Sequence, residues 1–259
     1  MTHPSDRFLP GVPGREIERL FNAAPGNELT SGKFGSPISS AALAANTFGF
    51  FLNRARELPP LPECAQAVWP AHSVSLETPV RFPWSGGRHP VLDCLVVTPT
   101  ALIGIESKRF EPFYAKKTAS FSAAYWRPVW GARMRGYEGI RDTLRSDDTR
   151  YAFLDAAQLI KHAFALRSAV HRPEAYYSLT PILFYVYAEP ECWPDECRPV
   201  EAAAKNGHRA EIERFAKAVA GDEVCFVPCS YRRLLESWDR HPDRRIRAHA
   251  DAVRRRFSP

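Results

Sequence analysis

Long apolar runs are missing from this 259-residue chain, and no apolar core follows a basic start at its N-terminus. A membrane-spanning helix needs about 20 mostly apolar residues, and a secretory leader needs a compact apolar stretch. The expectation is therefore a protein that neither spans a membrane nor is secreted, and the cytoplasm is its expected compartment. Cysteine is sparse too: six in a chain of this length make no disulfide scaffold. A four-sulfur zinc site can be drawn from Cys192, Cys197, Cys225 and Cys229. Neither pair has the tight C-x-x-C form and Cys225 lies in the strand-like run EVCFVP, so partly buried thiols are the better reading. A true phosphate loop is lacking as well. In APGNELTSGKFGSP five residues separate Gly26 from Gly32 where that loop has four, and Lys33 is followed by Phe34 instead of Ser or Thr. The segment reads as a surface loop, with Lys33 a phosphate contact if a substrate passes nearby. No helix-turn-helix or zinc module is recognisable.

What is present suffices for a full core: 45% hydrophobic and 25% charged residues, as in ordinary globular proteins. The net charge of +6 and pI near 9.1 suit a polyanionic partner. Most of the excess lies C-terminal to Tyr231, where nine arginines face four acidic residues.

The stretch Val91–Lys108, VLDCLVVTPTALIGIESK, organises the chain. Two runs rich in Val, Leu and Ile flank Pro99-Thr100, which predicts a hairpin. They carry three charges, Asp93, Glu106 and Lys108. Alternation puts Glu106 and Lys108 on one face of their strand, and Asp93 with Leu95 and Val97 on one face of its own. A turn centred between Pro99 and Thr100 sets Asp93 directly opposite Glu106, with Lys108 as diagonal neighbour. Facing carboxylates repel unless one is protonated or a cation lies between them. Oxygen ligands alone point to a hard divalent ion, Mg²⁺ or Mn²⁺.

The pattern P-x-L-D followed by G-I-E-S-K, carried by Pro90, Asp93, Glu106 and Lys108, resembles the signature of the PD-(D/E)XK nuclease superfamily, the restriction endonuclease-like fold. The resemblance implies an α/β (α+β) architecture with an αβββαβ core, in which helices flank a central mixed sheet. It implies a divalent metal on Asp93, Glu106 and the carbonyl of Ser107, with Lys108 beside the attacking water. It also suggests Gln158, on the helix after the E-x-K strand, as a substrate-positioning residue.

Along the chain, residues 1–35 read as an N-terminal arm and loop, and 36–230 as the core, with an insertion at about 109–150. Residues 231–259 read as a basic C-terminal helical extension. After a short helix at Glu16–Asn22, Ser36-Pro37 predicts a helix start, with the helix running to about Glu57 and a polar stripe at Ser39, Asn46 and Asn53. Glu57, close to that stripe, is a candidate third acid. A first strand over His72–Phe82 precedes the turn Trp84-Ser85-Gly86-Gly87. A turn centred on Ser85 places Glu77 across from Asp93 as a further metal ligand, and one centred half a residue later places Thr78 there. In 109–150, Glu111, Tyr114, Lys116, Lys117, Tyr125, Trp126, Arg127, Trp130, Arg133 and Arg135 mix charge with aromatics. This suits a nucleic-acid groove or an insertion packed on the core. Tyr151–Arg167 reads as a helix whose apolar stripe leaves Gln158, Lys161 and His162 largely outside. TPILFYVYAEP reads as a strand, 207–219 as a helix, EVCFVPC as a strand, and 231–238 and 242–256 as helices.

The function these readings favour is Mg²⁺-dependent phosphodiester hydrolysis, with DNA the expected polymer and RNA not excluded. A homodimer is compatible with double-strand cutting, although no residue pattern points to one. The alternative is a catalytically silent module of the same fold that binds nucleic acid or a protein partner. A carbohydrate hydrolase using Asp93 and Glu106 fits less well, since the neighbouring lysine suits a phosphate.

Overall fold

The Pro99-Thr100 turn sets the register of the molecule. Thr98 N–H donates to the Ala101 carbonyl at 2.9 Å, and Ala101 N–H donates to Thr98 Oγ1 at 3.0 Å. From this turn β2 (Val91–Val97) and β3 (Ala101–Lys108) run back antiparallel, Val97 opposite Leu102 and Cys94 opposite Ile105. β1 (Ser73–Pro79) pairs antiparallel with the outer side of β2. β4 (Thr180–Tyr187) and β5 (Cys225–Ser230) extend the sheet in parallel beyond β3. The result is an open, mixed, five-stranded sheet in the order β1-β2-β3-β4-β5, with β3 at its centre. Computed as a structural model, the structure describes residues 7–26, 28–84, 89–114, 121–147, 150–194 and 198–259. The first six residues of the expected arm, the turn at 85–87, Lys116, Lys117 and Cys197 lie outside them.

Among the described residues seven α-helices cover the sheet: α1 (Gly14–Ala23), α2 (Ser40–Phe48), α3 (Arg135–Ser146), α4 (Ala156–Val170), α5 (Ala202–Ala218), α6 (Tyr231–Asp239) and α7 (Arg244–Phe257). Alternation along β3 divides the core. Ile103 and Ile105 join Leu43, Phe48, Trp238 and Val253 in a first core under α1, α2, α6 and α7. Leu102 joins Ile140, Ile160, Phe164 and Phe215 in a second core under α3, α4 and α5. Gly104 lets this second layer close, because a Cβ there would stand 2.8 Å from Leu92 Cδ1 and 2.9 Å from Leu166 Cδ1. No helix among the described residues is long and apolar enough to cross a membrane.

Several expected boundaries move, each for a structural reason. Ser39, not Ser36, caps α2 by accepting the Ala42 N–H. The helix ends at Phe48 instead of Glu57, because the chain tightens into 3₁₀ turns at Gly49–Phe51 and Ala55–Glu57 that bury both Phe50 and Phe51. Asn46, expected on a polar stripe, is buried, accepting the Leu9 N–H at 2.7 Å and donating to the Arg7 carbonyl. It ties down the described part of the arm. α4 starts at Ala156, not Tyr151: Asp155 caps it, and the N–H groups of Ala152, Phe153 and Leu154 are all taken by the Glu211 carboxylate. α6 and α7 are not an appendage, since Trp238, Ile246, Val253 and Phe257 are buried in the first core.

Of the two readings of the 109–150 stretch, packing on the core accounts for several of its described aromatics, although Tyr114 is exposed. Tyr125, Trp130 and Tyr137 are buried, and Trp130 stacks on Phe164 with ring centroids 4.1 Å apart. Trp126 packs under the Arg141 and Arg145 guanidinium groups.

Two glycines in α3 test this packing. A Cβ at Gly136 would stand 2.3 Å from the Ala218 carbonyl oxygen, whereas one at Gly139 would meet nothing within 4 Å. In urea unfolding Gly136→Ala is expected to cost about 1–3 kcal/mol through overpacking against backbone. Gly139→Ala is expected to gain about 0.5–1 kcal/mol through helix propensity.

Candidate active site

The site begins where regular pairing stops. Leu76 pairs with Cys94 and Thr78 with Leu92, so Glu77 and Asp93 face each other across a rung the ladder skips. The β2–β3 ladder likewise ends at Cys94 and Ile105, one step short of Asp93 and Glu106. Continued by that one step, the same registers align Glu77, Asp93 and Glu106 on three consecutive strands. Glu77 has φ +48°, a left-handed conformation that a Cβ disfavours.

The break resets the alternation on both strands. Val74, Leu76, Cys94 and Val96 face the first core, while Val80, Phe82 and Leu92 face the second. Leu92 and Leu95 therefore share a core although three residues apart, and Asp93 falls at the switch. From Cys94 to Val97 the expected alternation holds, with Leu95 and Val97 toward the second core, and it fails at Leu92, before Asp93. In place of a ladder bond, Asp93 Oδ2 accepts the Ser107 N–H at 2.7 Å.

Glu106, 1% exposed, holds the centre. Its Oε1 lies 2.5 Å from Lys108 Nζ. Its Oε2 lies 3.1 Å from His162 Nδ1, but the two are not aligned for a hydrogen bond, so both buried atoms lack a hydrogen-bond partner. Burial would push the pKa of Glu106 up, yet Lys108 and His162 together outweigh it and hold the group down at about 2. Burial likewise works against the Lys108 ammonium, but Glu106, Glu111 and Asp93 raise its pKa above the ordinary lysine value. The other two acids go the opposite way. Burial and then repulsion from Glu106 push Asp93 well above the usual carboxylate range, against the pull of Lys108 and the Ser107 N–H. Glu77 is pushed up to about 7 by burial, then by Glu28 and Glu106.

The remaining candidates are placed as follows. Ser107 reaches the site through its peptide group only; its side chain points to the other core, where Oγ lies 2.7 Å from the Tyr231 hydroxyl. Gln158 is half-buried in the first turn of α4, its N–H capped by Asp155, and no side-chain hydrogen bond joins it to the acids among the described residues. Glu57 is paired with Arg245 at the start of α7, 3.2 Å away, and does not join the row. His162 is the residue that the apolar stripe concealed: it lies one turn beyond Gln158 on the same helix side and is buried against Glu106. The i, i+4 spacing of Gln158 and His162 on one side of a largely apolar helix was the available signal.

Among the described residues no three His, Cys, Asp or Glu side chains converge closely enough to form a metal cage. Cys225 and Cys229 lie on β5 and belong to no such group among the described residues, and Cys197 lies outside them. Magnesium is commonly held by one or two carboxylates, with water and substrate oxygens completing its shell. Glu106 Oε2, which has no hydrogen-bond partner, together with Asp93 and Glu77, both raised by burial and further by the Glu106 charge, is a donor set that a divalent cation would relieve. The residues fit such an ion.

Comparison with protein-family models, with curated proteins and with solved structures gave no match for this chain.

The Glu77 shift gives a testable pH dependence. Between its ordinary value of 4.5 and about 7, the folded chain keeps a proton that the unfolded chain has released. Stability therefore falls as pH rises through that window. Glu77→Gln is expected to flatten this slope and to gain about 1–3 kcal/mol at pH 8, with little change at pH 4.5, in urea titrations across the range.

Proposed function

We propose that the chain is a metal-dependent nuclease of the PD-(D/E)XK type with a restriction endonuclease-like core, acting on DNA. The observation that carries this reading is the meeting of Asp93, Glu106 and Lys108 at one end of β2 and β3, where regular pairing gives way. Support comes also from the order α2-β1-β2-β3-α3-α4-β4, which is the αβββαβ order that the family resemblance implies with α3 inserted between β3 and α4.

Asp93 and Glu106 would hold Mg²⁺ or Mn²⁺, with the Ser107 peptide carbonyl as a further oxygen donor and Glu77 as an acid that can ionise beside them. When bound, such an ion polarises a phosphodiester and lowers the pKa of a coordinated water. Lys108 keeps its positive charge through contact with Glu106 and can offset charge developing on the phosphate. A lysine with a raised pKa is a poor general base, so its role is to orient water and to stabilise charge. His162 fixes the outer side of Glu106 and acts as a positioning residue, much as outer groups orient metal ligands.

One observation favours the second reading, a catalytically silent module that binds nucleic acid or a protein partner. Glu106 is already neutralised by direct contact with Lys108, and among the described residues there is no three-ligand cage.

Incubation of supercoiled plasmid and single-stranded oligonucleotides with Mg²⁺, Mn²⁺ or EDTA separates the two. Metal-dependent cutting is expected, reduced at least ~100-fold in Asp93→Ala and Lys108→Ala and about 10- to 100-fold in His162→Gln. Wild-type cleavage by Lys108→Ala would sink the catalytic assignment. Salt-dependent DNA binding with no cleavage in any metal would establish the silent module.

A further inference from the structure

β3 ends in two consecutive cations that part company. Lys108 stays with Glu106, while the Arg109 guanidinium donates to the carbonyls of Pro37 and Phe257. Arg109 is only 7% exposed, and its Nε has no hydrogen-bond partner. Glu111 is the acid that acts on it, but both carboxylate oxygens are engaged, one by Ser40 Oγ and one by the Arg109 main-chain N–H. A buried guanidinium served by main-chain carbonyls still carries a full charge that burial disfavours.

Arg109 borders a cavity of about 590 Å³ whose described lining includes two more arginines, Arg7 and Arg256, and no acidic residue. Gly32, Gly35, Ser36 and Pro37 form another wall. The first turn of α2, the positive end of its helix dipole, contributes Ala42. A Cβ added at Gly35 would meet nothing within 4 Å, so the wall there faces open space. The glycine segment that fails as a nucleotide phosphate loop thus still shapes a cationic hollow, although Lys33 is not part of the described lining.

We propose that this cavity binds a phosphate group, with Arg109 as its buried base and Arg7 and Arg256 at its sides. On the nuclease reading, on which this last step rests, the group is a phosphate of the bound strand other than the scissile one. Arginine suits this task because its planar fork presents paired donors to a tetrahedral oxyanion.

Two measurements on the full chain test it, each with wild type, Arg256→Gln and Gly35→Asp. The first is thermal unfolding in sodium phosphate against sodium chloride of equal ionic strength. The second is binding of a fluorescent DNA oligonucleotide in EDTA across a salt series. Gly35→Asp adds a carboxylate in open space, so it reports on charge without disturbing packing. Phosphate is expected to raise the melting temperature of the wild type beyond chloride, as a ligand specific to the folded state does, and both variants should lose that gain. Both should bind the oligonucleotide at least ~10-fold more weakly, with a shallower salt dependence for Arg256→Gln. Phosphate no more protective than chloride, or protection unchanged in both variants, would overturn the site. Protection lost in the variants of a protein that neither binds nor cuts DNA would keep a free-phosphate site and overturn its assignment to a nucleic-acid strand. Metal-dependent cutting with unaltered oligonucleotide affinity in both variants would uphold the nuclease and overturn the strand-phosphate site.

Discussion

The ion pair between Lys108 and Glu106 is the constraint around which the other parts of the site are arranged. Both groups lie on the middle strand of the sheet, two residues apart on one face, and the carboxylate is buried beneath α4. Each charge costs several kcal/mol to remove from water, and neither could remain buried without its partner. For the carboxylate, Lys108 and His162 together more than offset that cost. Its depression from 4.5 to about 2 corresponds to roughly 3 kcal/mol in favour of the ionised form. An anion fixed in this way then acts on everything near it: it draws His162 inward and makes ionisation of Asp93 and Glu77 difficult.

The surrounding fold concedes stability at this rung. A ladder pair is missing on each side of Asp93, Glu77 takes a left-handed backbone, and two acids sit where their charged forms are disfavoured. Such departures concentrate at functional sites, held in place by regular structure nearby. Here the support is explicit. Thr78 pairs with Leu92 and Pro79 with Val91 beyond the break, and the parallel ladder of β3 and β4 runs unbroken from Ala101 to Lys108. The departures are confined to the one rung of Glu77, Asp93 and Glu106.

Much of this was legible in the sequence because a two-residue turn fixes a hairpin register, and a register fixes which charges meet. Pro99-Thr100 was enough to align Asp93 with Glu106, and of the two turns considered, the one centred on Ser85 gives the observed alignment of Glu77 with Asp93. What was not legible depends on contacts distant in sequence. The loss of alternation at Asp93 is a joint property of two strands and appears in neither alone. His162 stands outside the apolar stripe read from the sequence, where it looks like any solvated residue, whereas in the fold twelve of the fifteen α4 residues are buried. The early end of α2 follows from the close packing of Phe50 and Phe51 with Trp238 and His249, some 190 residues further on, which no local periodicity encodes.

The basic character of the chain also changes meaning once folded. Counted along the sequence, the excess charge looks like a cationic tail. In the structure three of the nine arginines form ion pairs among the described residues, Arg233 with Glu63, Arg245 with Asp243 and Glu57, and Arg254 with Asp239 and Asp251, and only Glu63 and Glu57 are acids from outside this segment. Exposed pairs of this kind add little stability and are screened by salt. A buried guanidinium in a concave wall acts at lower dielectric, where each charge counts for more than on a helix exterior. Net charge therefore says nothing of placement: Arg109, which follows Lys108 at the end of β3, is a buried cation in a concave wall.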